Sequence, residues 1–184
     1  MQSCVPCVSL SLCSLCIAFD CSAADMRKVL RLAFQSSETR FDPQGESDSG
    51  TGAVNDNLFD ALLQYDYLAR PAKLRPRTAE GLPEITDEGT VYTLRVKPGI
   101  YFSPDPAFGG KRRDLVAADY VYSIKRLLDP GQRSQWLFLV EGKIKGADAL
   151  VADAKLPGHR FDYDRPLEGL RAIDRYTLRI TLTA

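Results

Sequence analysis

Residues 89–102 read Gly-Thr-Val-Tyr-Thr-Leu-Arg-Val-Lys-Pro-Gly-Ile-Tyr-Phe, and this stretch sets the fold class. From Thr90 to Lys97 the alternation is clean, with Tyr92, Leu94 and Val96 on one side and Val91, Thr93, Arg95 and Lys97 on the other. That period of two predicts a half-buried strand. Pro98-Gly99 supplies a turn, because proline fixes φ and glycine tolerates a positive φ, so Ile100–Phe102 is expected to return as a hairpin. A strand wet on one face needs cover on the other. Downstream, Val116, Tyr120, Val121, Ile124, Leu127 and Leu128 recur at helical spacing until Asp129-Pro130-Gly131 stops them. A strand pattern followed by a helix pattern, outside a regular alternation, makes the fold class α+β.

Further out the same signals continue. Leu170–Ile173 and Thr177–Thr183 predict a hairpin about Asp174-Arg175, with Leu178, Ile180 and Leu182 on one face. The sequence stops directly after that strand, so an open edge and incomplete cover for those three residues are expected there. Ser103–Arg113, with two prolines and two glycines, reads as a loop whose Lys111-Arg112-Arg113 is a solvated turn. Gln135–Val140 is a short apolar turn with the only tryptophan, Ile144–Ala154 a helix and Leu156–Arg165 a polar loop. Upstream, Val54, Leu58, Leu62 and Tyr65 predict an amphipathic helix over 53–65. A polar, glycine-rich loop over 42–52 precedes it. Lys28–Phe34, apolar at Leu30, Leu32 and Phe34, predicts a central strand covered on both sides.

Composition narrows the function classes. The 184 residues are 45% hydrophobic and 26% charged, the balance of a globular chain. Lys plus Arg equals Asp plus Glu at 24 each, which argues against nucleic-acid binding, since that works through a cationic excess. All five cysteines (Cys4, Cys7, Cys13, Cys16, Cys21) fall in the first 21 residues. There Val5–Phe19 is apolar and Ser22-Ala23-Ala24 is small, so residues 1–24 read as a signal peptide cleaved after Ala24. The uncharged start Met1-Gln2-Ser3 and Asp20 depart from that pattern, and a mis-assigned start codon is the alternative. The two Cys-x-x-Cys pairs are too close together for the usual zinc spacing.

Catalytic chemistry finds no support. His159 is the one histidine, in a loop, with neither a mature cysteine nor a G-x-S-x-G serine to partner it. Gly50-Thr51-Gly52 lacks the lysine of a phosphate loop. Asp42, Glu46 and Asp48 have oxygen-rich spacing that calcium could use, but they fit no EF-hand and are ordinary capping material before a helix. No metal, cofactor or catalytic residue is assigned.

Several stretches, taken in order, resemble one family. They are Asn57-Leu58-Phe59-Asp60-Ala61-Leu62-Leu63-Gln64-Tyr65-Asp66, Leu74-Arg75-Pro76-Arg77-Thr78-Ala79-Glu80, residues 89–102, Ala117-Ala118-Asp119-Tyr120-Val121-Tyr122-Ser123-Ile124-Lys125-Arg126, and the strand pair from Leu167 to Leu182. The family is the bacterial extracellular solute-binding proteins of family 5, the peptide-binding subunits of ABC importers. The resemblance covers 28–184 and implies an N-terminal fragment of a two-lobed periplasmic binding protein. Residues 25–69 would be the first part of the main lobe, 70–166 an accessory α+β subdomain and 167–184 the return strands, with the second lobe following Ala184.

The resemblance further implies a non-enzymatic, monomeric protein of the Gram-negative periplasm. It would capture a peptide or similar small solute and deliver it to ABC permease subunits in the membrane. Ser47, Asp48, Ser49, Gly50 and Thr51 match the family's strand-to-helix loop, whose backbone lines the cleft. Trp136 matches an aromatic position that packs on the ligand, the alternative being a core role. Two departures stand out: Ser103–Arg113 is long, and Val116 replaces the threonine that caps the following helix, so Asp114 is expected to cap it. The competing class is an exported α+β piece of a hydrolase or structural protein.

Overall fold

The computed structural model describes residues 27–29, 31–33, 37, 40–46 and 48–183. The cysteines and the signal-peptide reading lie outside them. The chain divides into two compact units, 1–33 and 34–184. In the first, the described residues form no helix or strand, and Val29 and Leu32 are exposed. The strand expected over 28–34 is therefore absent among them, with Leu30 and Phe34 outside the description. A central strand needs neighbours on both edges, and the described strands pair entirely within residues 63–181.

In the second unit the order is α1 (Ser49–Leu58), β1 (Leu63–Tyr65), β2 (Leu74–Pro76), β3 (Glu84–Thr86), β4 (Val91–Arg95), α2 (Ala117–Leu128), α3 (Ala147–Ala154), β5 (Leu170–Ala172) and β6 (Thr177–Thr181). Strands β1 and β2 form a two-stranded ribbon, and the others a four-stranded antiparallel sheet ordered β3-β4-β6-β5. The expected β4 alternation holds, with Leu94 and Val96 buried and Arg95 exposed.

Its expected hairpin does not form. Residues 100–102 pair with 113–115 instead, through Phe102 N–H to Arg113 carbonyl (2.9 Å) and Leu115 N–H to Ile100 carbonyl (2.8 Å). The edges of β4 are already taken, by β3 on one side and β6 on the other, and Val96 and Lys97 donate to Tyr176 and Thr78. The expected open edge fails for the same reason. Strand β6 is central, Leu94 and Ala172 lie directly opposite Leu178, and Leu178 is fully buried. Ala117, Leu128, Ile144, Ala147, Val151, Leu167 and Leu170 complete the core around it, so α2, α3 and the sheet share one apolar cluster. Each large aliphatic removed from water there is worth about 1.5–3 kcal/mol.

Helix α2 matches its expected span, but its cap differs. The Asp119 carboxylate accepts the Val116 N–H at 2.8 Å, one half of a capping box. Asp114 instead accepts from Arg175 Nη2 (2.8 Å to each oxygen) and from the Tyr176 hydroxyl (3.1 Å), tying the preceding loop to the β5–β6 turn. Helix α1 both begins and ends earlier than the apolar spacing predicts. Asp48 caps it at one end, Phe59 is extended at the other, and Leu63–Tyr65 is strand. Asn55, Asp56 and Asn57 are weak helix formers whose side chains compete for backbone groups, which favours the early stop. In the loop over 103–113 the guanidinium of Arg112 lies 3.7 Å from the Tyr101 ring centroid, and Arg113 lies 4.3 Å from that of Phe102 while pairing with Asp119. Two of the three cations expected to be simply solvated, Arg112 and Arg113, thus stack on aromatic rings.

The polar segment over 156–165 is fixed to α2 by a buried cation. Lys125 is 5% exposed, and its ammonium donates to the carbonyls of Tyr163 and Arg165, both at 2.7 Å. Burial holds its pKa below the ordinary lysine value. The Tyr163 hydroxyl donates to Asp129 Oδ2 at 2.6 Å, and burial first, then Asp129, pushes that phenol's pKa up.

Candidate functional site

The segment ahead of α1 is shaped by its short polar side chains. Asp42 is extended and caps a single 3-10 turn, Pro43–Gly45, accepting the Gln44 N–H. Asp48, also extended, caps α1: Oδ1 accepts the Thr51 N–H and Oδ2 the Thr51 hydroxyl, each at 2.7 Å. Thr51 is fully buried, whereas Ser49 is exposed and Gly50 half-buried. Ser47 lies outside the described residues. Of the expected ligand-binding loop, then, Asp48 and Thr51 direct their side chains at each other. Among its described residues, this loop can offer a solute main chain together with Ser49.

The carboxylates that suggested calcium are spent elsewhere. Asp42 forms a two-pronged pair with Arg126, 3.1 Å from Nη1 and 2.6 Å from Nη2. Glu46 accepts from Asn55 Nδ2 at 2.8 Å. Among the described residues no group of three His, Cys, Asp or Glu side chains could hold a metal ion. A Cβ at Gly52 would lie 2.6 Å from Glu46 Oε1, the mobile end of a side chain, so this contact alone does not demand glycine. Asn55 Oδ1 and Gln44 Oε1 are buried without a hydrogen-bond partner, a cost the fold carries at these two side chains.

Arg126 was not singled out by sequence reasoning. It gathers the loop and the segment after α2, pairing with Asp42 and also donating to Gln132 Oε1 at 3.2 Å. The Gln44 amide adds a bond to the Ser123 carbonyl at 3.2 Å. The only sequence signal was an arginine in the last turn of a helix, which helix-dipole reasoning already accounts for.

Hydrogen bonding to Arg126 holds the Asp42 carboxyl below its ordinary 3.8. A depressed folded pKa contributes stability above the unfolded value that is lost as pH falls through the folded one. Arg126→Met should therefore flatten the acid limb of Tm against pH, recorded from about pH 6 to about pH 3. Parallel acid limbs in the two proteins would sink that assignment.

Trp136 is not core. It is 36% exposed, its ring centroid 6.3 Å from that of Phe138, itself 60% exposed beside Leu139 at 50%. Leu137 and Val140 anchor this turn against the apolar core. The arrangement is a pinned turn presenting an apolar, aromatic surface.

Residues 73–184 match the family model described as bacterial extracellular solute-binding proteins, family 5, middle. The chain belongs to that family. Solved structures agree. OppA of Listeria monocytogenes bound to peptide is 26% identical with a TM-score of 0.57, over 80% of this chain and 26% of that one. OppA of Burkholderia pseudomallei is 25% identical with a TM-score of 0.56, over 78% and 24%. A periplasmic oligopeptide-binding protein of Borrelia burgdorferi, 24% identical with a TM-score of 0.59 over 80% and 26%, shares the fold. No curated protein matches the chain. The family 5 chain described here spans about a quarter of the length of these structures. It is an α+β portion of a periplasmic binding protein-like fold, and the family and its solved members are binding proteins.

Proposed function

We propose that the chain is part of the substrate-binding component of an ABC importer that captures peptides, or similar small solutes, outside the cytoplasm and delivers them to permease subunits. The observation that carries this reading is the family match over 73–184, joined to a peptide-bound relative at 26% identity. Export by the 1–24 leader, a periplasmic location, a monomeric state and the subdomain division at 69 and 166 belong to the same proposal.

Within it, residues 47–51 present backbone groups to an extended ligand, a mode that tolerates varied side chains because main-chain bonds supply the affinity. Asp48 serves by shaping the loop, its carboxylate being committed to the cap. The exposed Trp136 ring packs on the solute. Calorimetry with a pool of di- to pentapeptides, on this chain joined to the second lobe of a relative, tests both parts. Saturable binding is expected, and Trp136→Ala should weaken it about tenfold, the loss of one aromatic anchor. No binding by the joined protein would overturn the peptide reading. Unchanged affinity in the variant would overturn the tryptophan's role alone.

A further inference from the structure

The face of the four-stranded sheet opposite the apolar core carries a charge arrangement that sheet formation does not favour. Arg171 of β5 and Arg179 of β6 are direct antiparallel partners, so their side chains leave the same face of the sheet. Directly opposed residues hold their Cβ atoms about 4.5–5.5 Å apart, and like charges so placed destabilise the pair. Both residues are exposed. Neither makes an ion pair among the described residues, although arginines elsewhere in this fold find carboxylates, as at Arg126–Asp42, Arg175–Asp114 and Arg95–Glu80.

The acids of this sheet are engaged elsewhere or lie further off: Asp174, in the β5–β6 turn, accepts the Tyr176 and Thr177 N–H groups. Thr93 faces Arg179 from the other side, and beyond it Glu84 lies two strands away. Glu80 is held by Arg95 at 3.4 Å. The row across the sheet thus runs Arg171, Arg179, Thr93, Glu84, with its positive end unneutralised. Two arginines paired in register on adjacent strands can bring both guanidiniums to one anion, and guanidinium forks suit an oxyanion with several acceptor oxygens, a doubly charged one best.

We propose that Arg171 and Arg179 form a surface site for a doubly charged oxyanion of the phosphate type, distinct from the solute-binding loop. Such a site depends on β5 and β6 alone and holds whichever solute the whole protein carries. The test is thermal unfolding of the full chain in sodium chloride, phosphate, sulfate and acetate at matched ionic strength. Phosphate at about 10 mM should raise Tm saturably by about 3–5 °C, as expected for a millimolar site.

Arg171→Ala and Arg179→Ala should each abolish that rise, and each should melt higher than the parent in phosphate-free, low-salt buffer, because the like-charge contact is gone. Equal phosphate shifts in parent and variants would show only the general stabilisation such salts give, and would overturn the site. A rise with acetate as large as with phosphate would overturn the preference for a dianion. Variants melting lower than the parent in phosphate-free buffer would overturn the repulsion on which the site rests.

Discussion

Gly169→Ala should cost about 3–5 kcal/mol, or prevent folding, although glycine-to-alanine is the smallest addition a residue can make. At Gly169 the backbone meets two other segments. Its N–H donates to the Lys145 carbonyl (2.9 Å), its carbonyl accepts from Thr181 (2.8 Å), and Lys145 N–H donates to the Thr181 carbonyl (3.0 Å). A Cβ placed there would lie 2.5 Å from Lys145 N, 2.6 Å from Thr181 O and 2.7 Å from Lys145 O. These are main-chain atoms, so no side chain can swing aside. Relief requires separating β6 from the turn before α3, which opens the core at Leu167 and Leu178. Gly81→Ala is the control, because nothing lies within 4 Å of its Cβ position. Urea unfolding of both variants decides the matter: a Gly169→Ala midpoint equal to that of Gly81→Ala would refute the junction.

Leu178→Ala should lose about 2–5 kcal/mol, the range for truncating a large aliphatic in a core that cannot collapse onto the void. Leu178 is fully buried on the central strand, held on both sides by strand partners and capped by α2 and α3 residues. Because a domain of ordinary stability has about 5–15 kcal/mol in all, the loss is a large share. Ile180→Ala, on the same face but only half-buried, should lose less. Equal shifts in the urea midpoint for the two would show that strand position does not grade the burial. The cover around Leu178 also replaces the incomplete cover that the end of the sequence suggested.

Short-range patterning carried much of this protein. The alternation over 90–97, the helical stripe from Val116 to Leu128 and the hairpin about Asp174-Arg175 are each set by local periodicity and turn chemistry, and all three stand in the structure. The quoted stretches identified the family for the same reason, since they are mostly these elements. What the sequence alone did not determine was which strand edge meets which. Pro98-Gly99 can close a hairpin, yet residues 100–102 pair with 113–115, because β4 is already flanked by β3 and a strand more than eighty residues later.

The candidate site divides in the same way. A short polar residue before a helix is legible as a cap, and Asp48 is one. That Asp42 is held by Arg126, that Trp136 is exposed instead of core, and that Gly169 admits no Cβ follow from contacts between segments far apart in the chain. Hydrogen-bond partners and close backbone approaches of that kind have no period and no local composition. Only the tertiary structure decides them, because pairing energy depends on which surfaces the completed core brings within reach.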